Sequence, residues 1–567
     1  MRSRARAGLL AAALVLVGGV GRAGPPAASP AARATPEEAA AIARVAEKRL
    51  DEWRFAEGRA GVADLVRIAP DAPQTLYLEG YVRFLEGDYA GAVKKLEASL
   101  AAGPKDPGAV NARELRALAS EARDAVKDHK EERFGHFLVR YPAVDGVLVP
   151  YARDALEAAY RALHDDLGFE AELPIRIEIY RSPSDLAAVS SLTVAEVART
   201  GTIALCKWAR LMVTSPRALA TGYPWLDTIN HELVHYAVSS LTHDRAPVWL
   251  QEGLAKFLEQ RWREPAGGRI PPAMETMLAK ALRSGKLISF EAMHPSMAKL
   301  PSAEDATLAF AEVANAVAHL YADKGPAGLR EAIKHVDDGQ DAREAVAAAD
   351  GVTWPEFERG WRVFMAAQKY KTFPAIDLPT THIRKAGAIA SQRKPTEDEA
   401  LSANGKTTAA PLRFLRLGNM LLRRDRPRAA VIEYEKGAKS VTSAGHGGGE
   451  GAAAWLFPVK LGRTYLVLGE PDRALKALEP VAAVYPDLPW PHVIAGEALL
   501  AKGAPADAVV ELRAALATNP FDPEVHCTLA DAYEKAPQSG DASSVRPSAD
   551  VIARERQFCK ELGAGAQ

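Results

Sequence analysis

Gly462, Gly496 and Ala530 stand 34 residues apart, and Tyr465, Leu499 and Tyr533 follow them by three. Ala474 and Ala508, Leu478 and Leu512, and Pro486 and Pro520 recur at the same interval, and Trp455 takes the first position of its unit. An earlier unit on Gly418, Ala430 and Tyr434 lies 44 residues ahead, and the ten extra residues fit an inserted Gly-rich loop from Ser443 to Gly451. A unit of this length holds two helices and a turn. It cannot bury its apolar face alone, but stacked neighbours can. The small residues let antiparallel helices approach closely, and the prolines end each pair. A helical stack is therefore expected over 406–540, self-supporting and separable from what precedes it.

These residue types at this period resemble tetratricopeptide repeats, which implies a groove for a protein partner. A similar unit lies near the amino terminus, where Gly80, Gly87, Ala92, Leu96 and Pro104 keep the same offsets. It sits in a helical stretch over 36–130, rich in Ala, Leu, Glu and basic residues at three- and four-residue spacing. The mixed-charge run Asp106 to Arg133 reads as a helix with a solvated face.

Between the arrays, residues 131–370 change character. Phe137 to Tyr141 reads as a strand, and Val149 to Leu167 as an amphipathic helix stopped by Gly168. Pro174 to Tyr180 alternates apolar and charged residues as a half-buried strand does. Ile203 to Thr214 supplies one or two further strands, and helices follow, so this is an α+β domain. A connector over 371–405 and a tail over 541–567 complete the plan. At 567 residues the chain is too long for one core.

Arg2, Arg4 and Arg6 precede a short apolar run from Gly8 to Val20 and the triplet Gly21-Arg22-Ala23. Charge, apolar stretch and small residues in that order define a secretory signal over 1–23, followed by a flexible linker over 24–35. The chain is expected to be exported, periplasmic or secreted and compatible with envelope association, with no stable membrane span after signal removal. A formal net charge of -1 argues against a nucleic-acid surface. Cys206, Cys527 and Cys559 form no CxxC. They are expected as free buried thiols, although Cys527 and Cys559 could pair in an oxidising compartment.

The chemistry is concentrated between Asp227 and Glu259. His231, Glu232 and His235 form His-Glu-x-x-His inside a helical pattern. Positions i and i+4 share a helix face, so two imidazoles can meet one Zn²⁺. Glu232, beside the first histidine, is placed to act as general base on a zinc-activated water. Glu252 lies 17 residues past His235 near the start of a second helix, far enough for the chain to turn and supply a third, carboxylate ligand. The competing reading of Glu252 is an acid at a helix amino terminus.

HELVH (231–235) and WLQEGLAKFLE (249–259) resemble the gluzincin metallopeptidases, specifically the peptidase MA-like domains. The resemblance spans about 131–370 and implies a hydrolase of peptide bonds with one Zn²⁺ per chain, acting on a peptide or protein. It also implies that a strand just before the His-Glu-x-x-His helix borders the cleft and pairs with substrate backbone. Ile203 to Thr214 is in that place. The expected architecture is multidomain and mainly α, with a central α+β zincin-like metallopeptidase domain flanked by helical tetratricopeptide-type arrays.

Several positions depart from the related patterns. The metzincin spacing fails, since Val238 and Leu241 stand where its glycine and third histidine would be, and His243 is misplaced. Lys256 occupies the position where thermolysin-like enzymes place an aspartate, so another acid must orient the histidines, with Asp227 and Glu259 as candidates. An oxyanion partner is sought among Tyr223, His243, His319 and Tyr321. Phe310 stands where a tyrosine is expected. That substitution supports an alternative reading, a zinc-binding scaffold or chaperone-like protein with little or no hydrolysis.

Overall fold

The computed structural model describes residues 35–373, except 173, 220, 295, 296, 298 and 299, and then 409–443, 455–537 and 547–564. The expected signal over 1–23, all but the last residue of the linker, and the connector beyond 373 lie outside the described residues.

Five helices open the described residues: α1 (Pro36–Asp51), α2 (Phe55–Ile68), α3 (Pro73–Glu86), α4 (Tyr89–Ala102) and α5 (Ala109–Val126). The central part follows as β1 (His129–Phe134), β2 (Phe137–Pro142), α6 (Leu148–Leu167), β3 (Ile175–Tyr180), α7 (Pro183–Ala188), α8 (Val194–Thr200), β4 (Ala204–Lys207) and β5 (Arg210–Thr214). It continues through α9 (Trp225–Thr242), α10 (Val248–Leu258), α11 (Pro272–Ser284), α12 (Phe290–Met293), α13 (Ala303–Asp337), α14 (Ala342–Asp350) and α15 (Trp354–Ala367). The last part holds α16 (Ala409–Arg423), α17 (Pro427–Ser443), α18 (Leu456–Val467), α19 (Pro471–Val484), α20 (Pro489–Ala501), α21 (Pro505–Leu516), α22 (Pro523–Lys535) and α23 (Ala549–Ala564). The fold is mostly helical, with one small mixed sheet. No helix of the described residues is long and apolar enough to cross a membrane.

The repeat spacing has a direct steric reading. A Cβ on Gly80, Gly462 or Gly496 would lie 2.7, 3.0 or 2.6 Å from the side chain of Leu96, Leu478 or Leu512, each sixteen positions later on the partner helix. Gly418 meets Tyr434 at the same offset. The missing side chain on one helix is the space its neighbour fills.

The sheet runs β1-β2-β3-β5-β4, parallel across β2, β3 and β5 and antiparallel at both margins. Strand β4 is thus an edge. It is joined to β5 by a two-residue turn in which Trp208 and Ala209 both take positive φ, as a tight hairpin requires.

Strand β1 corrects the helical reading of the charged run ending at Arg133. The helix stops at Val126, and HKEERF pairs with β2 through a turn on Gly135, whose φ is +46. Its charges are those of an edge strand facing water. Strand β3 is buried on both faces rather than one. Helices α3–α5 cover its charged face, where Glu178 accepts from Tyr89 at 2.6 Å, Tyr180 at 2.5 Å and Arg210 at 3.1 Å. Burial opposes ionisation of Glu178, but Arg210 and Arg176 hold its carboxyl at about 2.

Two carboxy-terminal expectations also change. Residues 549–564, assigned to a tail, form α23 packed on α22, and Cys527 and Cys559 are joined in a disulfide between these helices, leaving Cys206 as the free thiol. The repeat stack is not a detached module. Thr518 accepts the Tyr223 N–H at 3.2 Å, and the Arg217 guanidinium lies 3.8 Å over the Phe521 ring. Tyr151 on α6 donates to Glu555 at 2.7 Å, and Glu555 in turn holds His526 at 2.7 Å. At Gly222, with φ +71, a Cβ would fall 2.4 Å from the Thr518 carbonyl, so this contact needs glycine.

Candidate metal centre

Helix α9 supplies the two histidines and Glu232, α10 supplies Glu252, and Glu259 caps the end of α10. The chain reverses between them over His243–Pro247, and Gly253 lets α13 cross α10 closely, since a Cβ there would sit 2.9 Å from the Val313 carbonyl. This crossing presses α10 towards α9. His231 Nε2 lies 3.1 Å from His235 Nε2 and 3.2 Å from Glu252 Oε2, and His235 Nε2 is 3.5 Å from the same oxygen. Among the described residues these three form the one group of His, Cys, Asp or Glu placed to hold a metal ion, with ligand atoms within 4.8 Å of one another.

The other ring nitrogens are also occupied. His231 Nδ1 meets Glu259 Oε2 at 3.1 Å, and Lys256 Nζ holds the second Glu259 oxygen at 2.6 Å. His235 Nδ1 meets Gln251 Oε1 at 3.2 Å. Each partner accepts, so each Nδ1 donates its proton outward and each Nε2 faces the other and Glu252. Of the two candidate acids, Glu259 is therefore the one that meets a site histidine. Asp227 is not, because it accepts from Trp262 at 2.8 Å and from Arg263 at 2.6 Å. Lys256, at the position of an expected acid, supports Glu259 instead. Gln251 escaped the sequence reading, and the only signal for it was its place next to Glu252 on the same helix.

The electrostatics favour a cation. Burial disfavours a charged His231, yet hydrogen bonds and charge from Glu252 and Glu259 push its pKa up to about 10. Burial alone would raise Glu252, but the two imidazoles hold it well below the usual carboxylate range. Two imidazole nitrogens, both braced from behind, and one carboxylate oxygen fit a zinc ion with a fourth position left open. Glu232 is 6 % exposed, and its pKa is raised by burial against the pull of His235 and His231. It accepts the Cys206 N–H, so the outer edge of β4 faces this carboxylate.

Of the four oxyanion candidates, two have polar partners elsewhere and two show ring packing. Tyr223 donates its hydroxyl to the Thr214 carbonyl, and His243 Nδ1 lies 2.5 Å from Asp337. His319 packs against Phe357 and Phe364, Tyr321 against Phe257, and Phe310 against the core.

A short mixed sheet, a His-Glu-x-x-His helix beneath its edge and a following carboxylate helix define a peptidase-like domain set among helical repeats. Residues 154–367 match the family model of the Peptidase MA superfamily, and residues 465–530 match that of the tetratricopeptide repeat. The chain carries a domain of each kind. No curated protein matches it.

Proposed function

We propose that the chain is an exported zinc-dependent peptidase. The observation that carries this reading is the convergence of His231 Nε2, His235 Nε2 and Glu252 Oε2, with the buried Glu232 carboxylate between them and the edge of β4. Zinc bound there would supply Lewis acidity, which acidifies water and polarises a carbonyl. Glu232 takes a proton from the attacking water and returns it to the departing amine nitrogen. The free edge of β4 pairs with the substrate backbone, which fixes the scissile bond without requiring one side chain. Glu259 and Gln251 keep both histidines in the ligating tautomer. Export is supported by the charged and apolar start of the chain and by the Cys527–Cys559 bond, which suits an oxidising compartment. The repeats hold a protein partner or the substrate.

A specific observation favours a second reading, the zinc-binding scaffold: Tyr223 and His243 commit their polar atoms elsewhere, to the Thr214 carbonyl and to Asp337. One experiment separates the two. Full-length protein is incubated with a peptide library, with and without chelator, and cleavage sites are read by mass spectrometry. Chelator-sensitive cleavage supports the peptidase, whereas bound zinc without cleavage supports the scaffold.

A further inference from the structure

Strand alternation puts Arg176, Glu178 and Tyr180 of β3 on the face covered by α3–α5. In register beside them stand Arg210 of β5, opposite Arg176, and Arg140 of β2, opposite Glu178. The three guanidinium carbons lie 5.3–5.8 Å from the centroid of the Tyr89 ring at the start of α4. Gly87, which ends α3, has φ +80, and a Cβ there would collide with both Arg176 Nη1 and Arg140 Nη1. A side chain is thus given up where two cations pack into one corner.

Charge does not balance among the buried groups of this layer. Arg176 is 3 % exposed, and Arg210 and Glu178 are fully buried. Glu178 accepts from Arg210 at 3.1 Å and from Arg140 at 3.4 Å, and Arg140 also reaches Glu131 at the rim at 2.8 Å. Two fully buried guanidiniums therefore share one carboxylate, and that carboxylate pairs with Arg210 and Arg140 rather than with Arg176. Arg176 Nη1 donates to the Phe84 carbonyl at 3.4 Å, while its Nε and Nη2 are buried with no acceptor among the described residues. Arg210 Nε is in the same position.

A guanidinium keeps its charge when buried. Burying it is costly unless its N–H groups are bonded and its charge is matched. Nε and Nη2 form one edge of the Arg176 guanidinium, the two-pronged edge that grips an anion. All three unspent donors are closed off from solvent. That disfavours a chain end or a phosphate ester and favours a bare monovalent ion trapped as the helices close on the sheet.

We propose that Arg176, with Arg210 beside it, holds a halide, chloride in kind, between β3, β5 and the α3–α4 corner. The ion supplies the missing negative charge and ties the amino-terminal helices to the strands. Arg210 opens β5 directly after the Trp208–Ala209 turn, so an occupied site also braces the hairpin that carries β4. The proposal is independent of the metal reading.

The test melts the full-length chain in sodium chloride and in sodium gluconate of equal ionic strength. Gluconate screens charge equally but is too large for the site. The unfolding midpoint should lie higher in chloride and rise with the logarithm of its concentration, and bromide should replace chloride. Above the dissociation constant, each tenfold rise in chloride should raise the folding equilibrium constant about tenfold. Arg176→Met keeps the buried stem, removes the charge and should abolish the difference between the salts. Arg176→Lys keeps the charge without the two-pronged edge and should need more chloride for the same rise. Coincident midpoints of the wild type in chloride and gluconate overturn the proposal. A chloride increment that survives in Arg176→Met places the ion elsewhere and also overturns it. If Arg176→Met does not fold, crystals of the wild type grown with bromide decide. An anomalous peak within hydrogen-bond distance of Arg176 Nε and Nη2 is expected, and a water in that place overturns the proposal.

Discussion

Trp225, the first residue of the helix that carries both site histidines, donates its indole N–H to the Leu516 carbonyl at 3.1 Å, across 291 residues of chain. With the Tyr223–Thr518 and Tyr151–Glu555 contacts, this bond makes the repeat stack the wall against which α9 starts. A chain ending near Tyr370 exposes Trp225, which is 1 % accessible in the intact protein. That truncation is expected to melt at lower temperature than the full chain and to bind zinc more weakly, as differential scanning fluorimetry and chelator competition would read. The milder Trp225→Phe removes one buried hydrogen bond and should lower stability by about 0.5–1.5 kcal/mol in chemical denaturation.

The brace behind His231 gives a second expectation. Glu259→Ala removes the acceptor of its Nδ1 proton and leaves half-buried Lys256 without its salt-bridge partner. Zinc affinity should fall about 10–100-fold. Lys256→Ala should act in the same direction but less, since Glu259 still reaches the ring. Equal zinc affinity in the wild type and Glu259→Ala would remove the orienting role.

Much of this was legible in the sequence. The 34-residue period announced the repeats because a steric rule, a small residue facing a large one sixteen positions on, repeats with each unit. The convergence of His231, His235 and Glu252 was legible because helix geometry and ligand chemistry restrict both residue type and spacing. The choice between Asp227 and Glu259 was not, because each lies about one or two turns from a ligand and only the packing of Arg263 and Trp262 against Asp227 separates them. Strand β3 read as half-buried because no sequence pattern revealed that α3–α5 cover its charged face. The docking of the repeats was hidden for a similar reason, as it uses backbone carbonyls of Leu516 and Thr518 that any residue offers.

Glu312 on α13 gives a pH signature away from the metal site. It is fully buried, accepts the Ile288 N–H at 3.1 Å, and burial raises its pKa from 4.5 to about 8. The folded state therefore holds this proton more tightly than the unfolded chain. Its contribution to stability is fully present below pH 4.5 and is lost as the pH rises through about 8. Glu312→Gln keeps an oxygen for Ile288 and removes the titration. The variant should show a flatter dependence of melting temperature between about pH 5 and 8, and greater stability than the wild type at the upper end, on the order of a few kcal/mol.

The central claim is that Glu232 does chemistry at a metal held by its neighbours. The most direct measurement compares peptide cleavage by full-length wild type, Glu232→Gln and Glu252→Ala, each with its zinc content determined by atomic spectroscopy. Glu232→Gln should retain about one equivalent of zinc, with cleavage reduced about 10²–10⁴-fold. Glu252→Ala should lose zinc and cleavage together, since two imidazoles from one helix hold the ion weakly. Zinc-loaded Glu232→Gln cleaving as fast as the wild type, or Glu252→Ala keeping full zinc and full activity, would contradict the account.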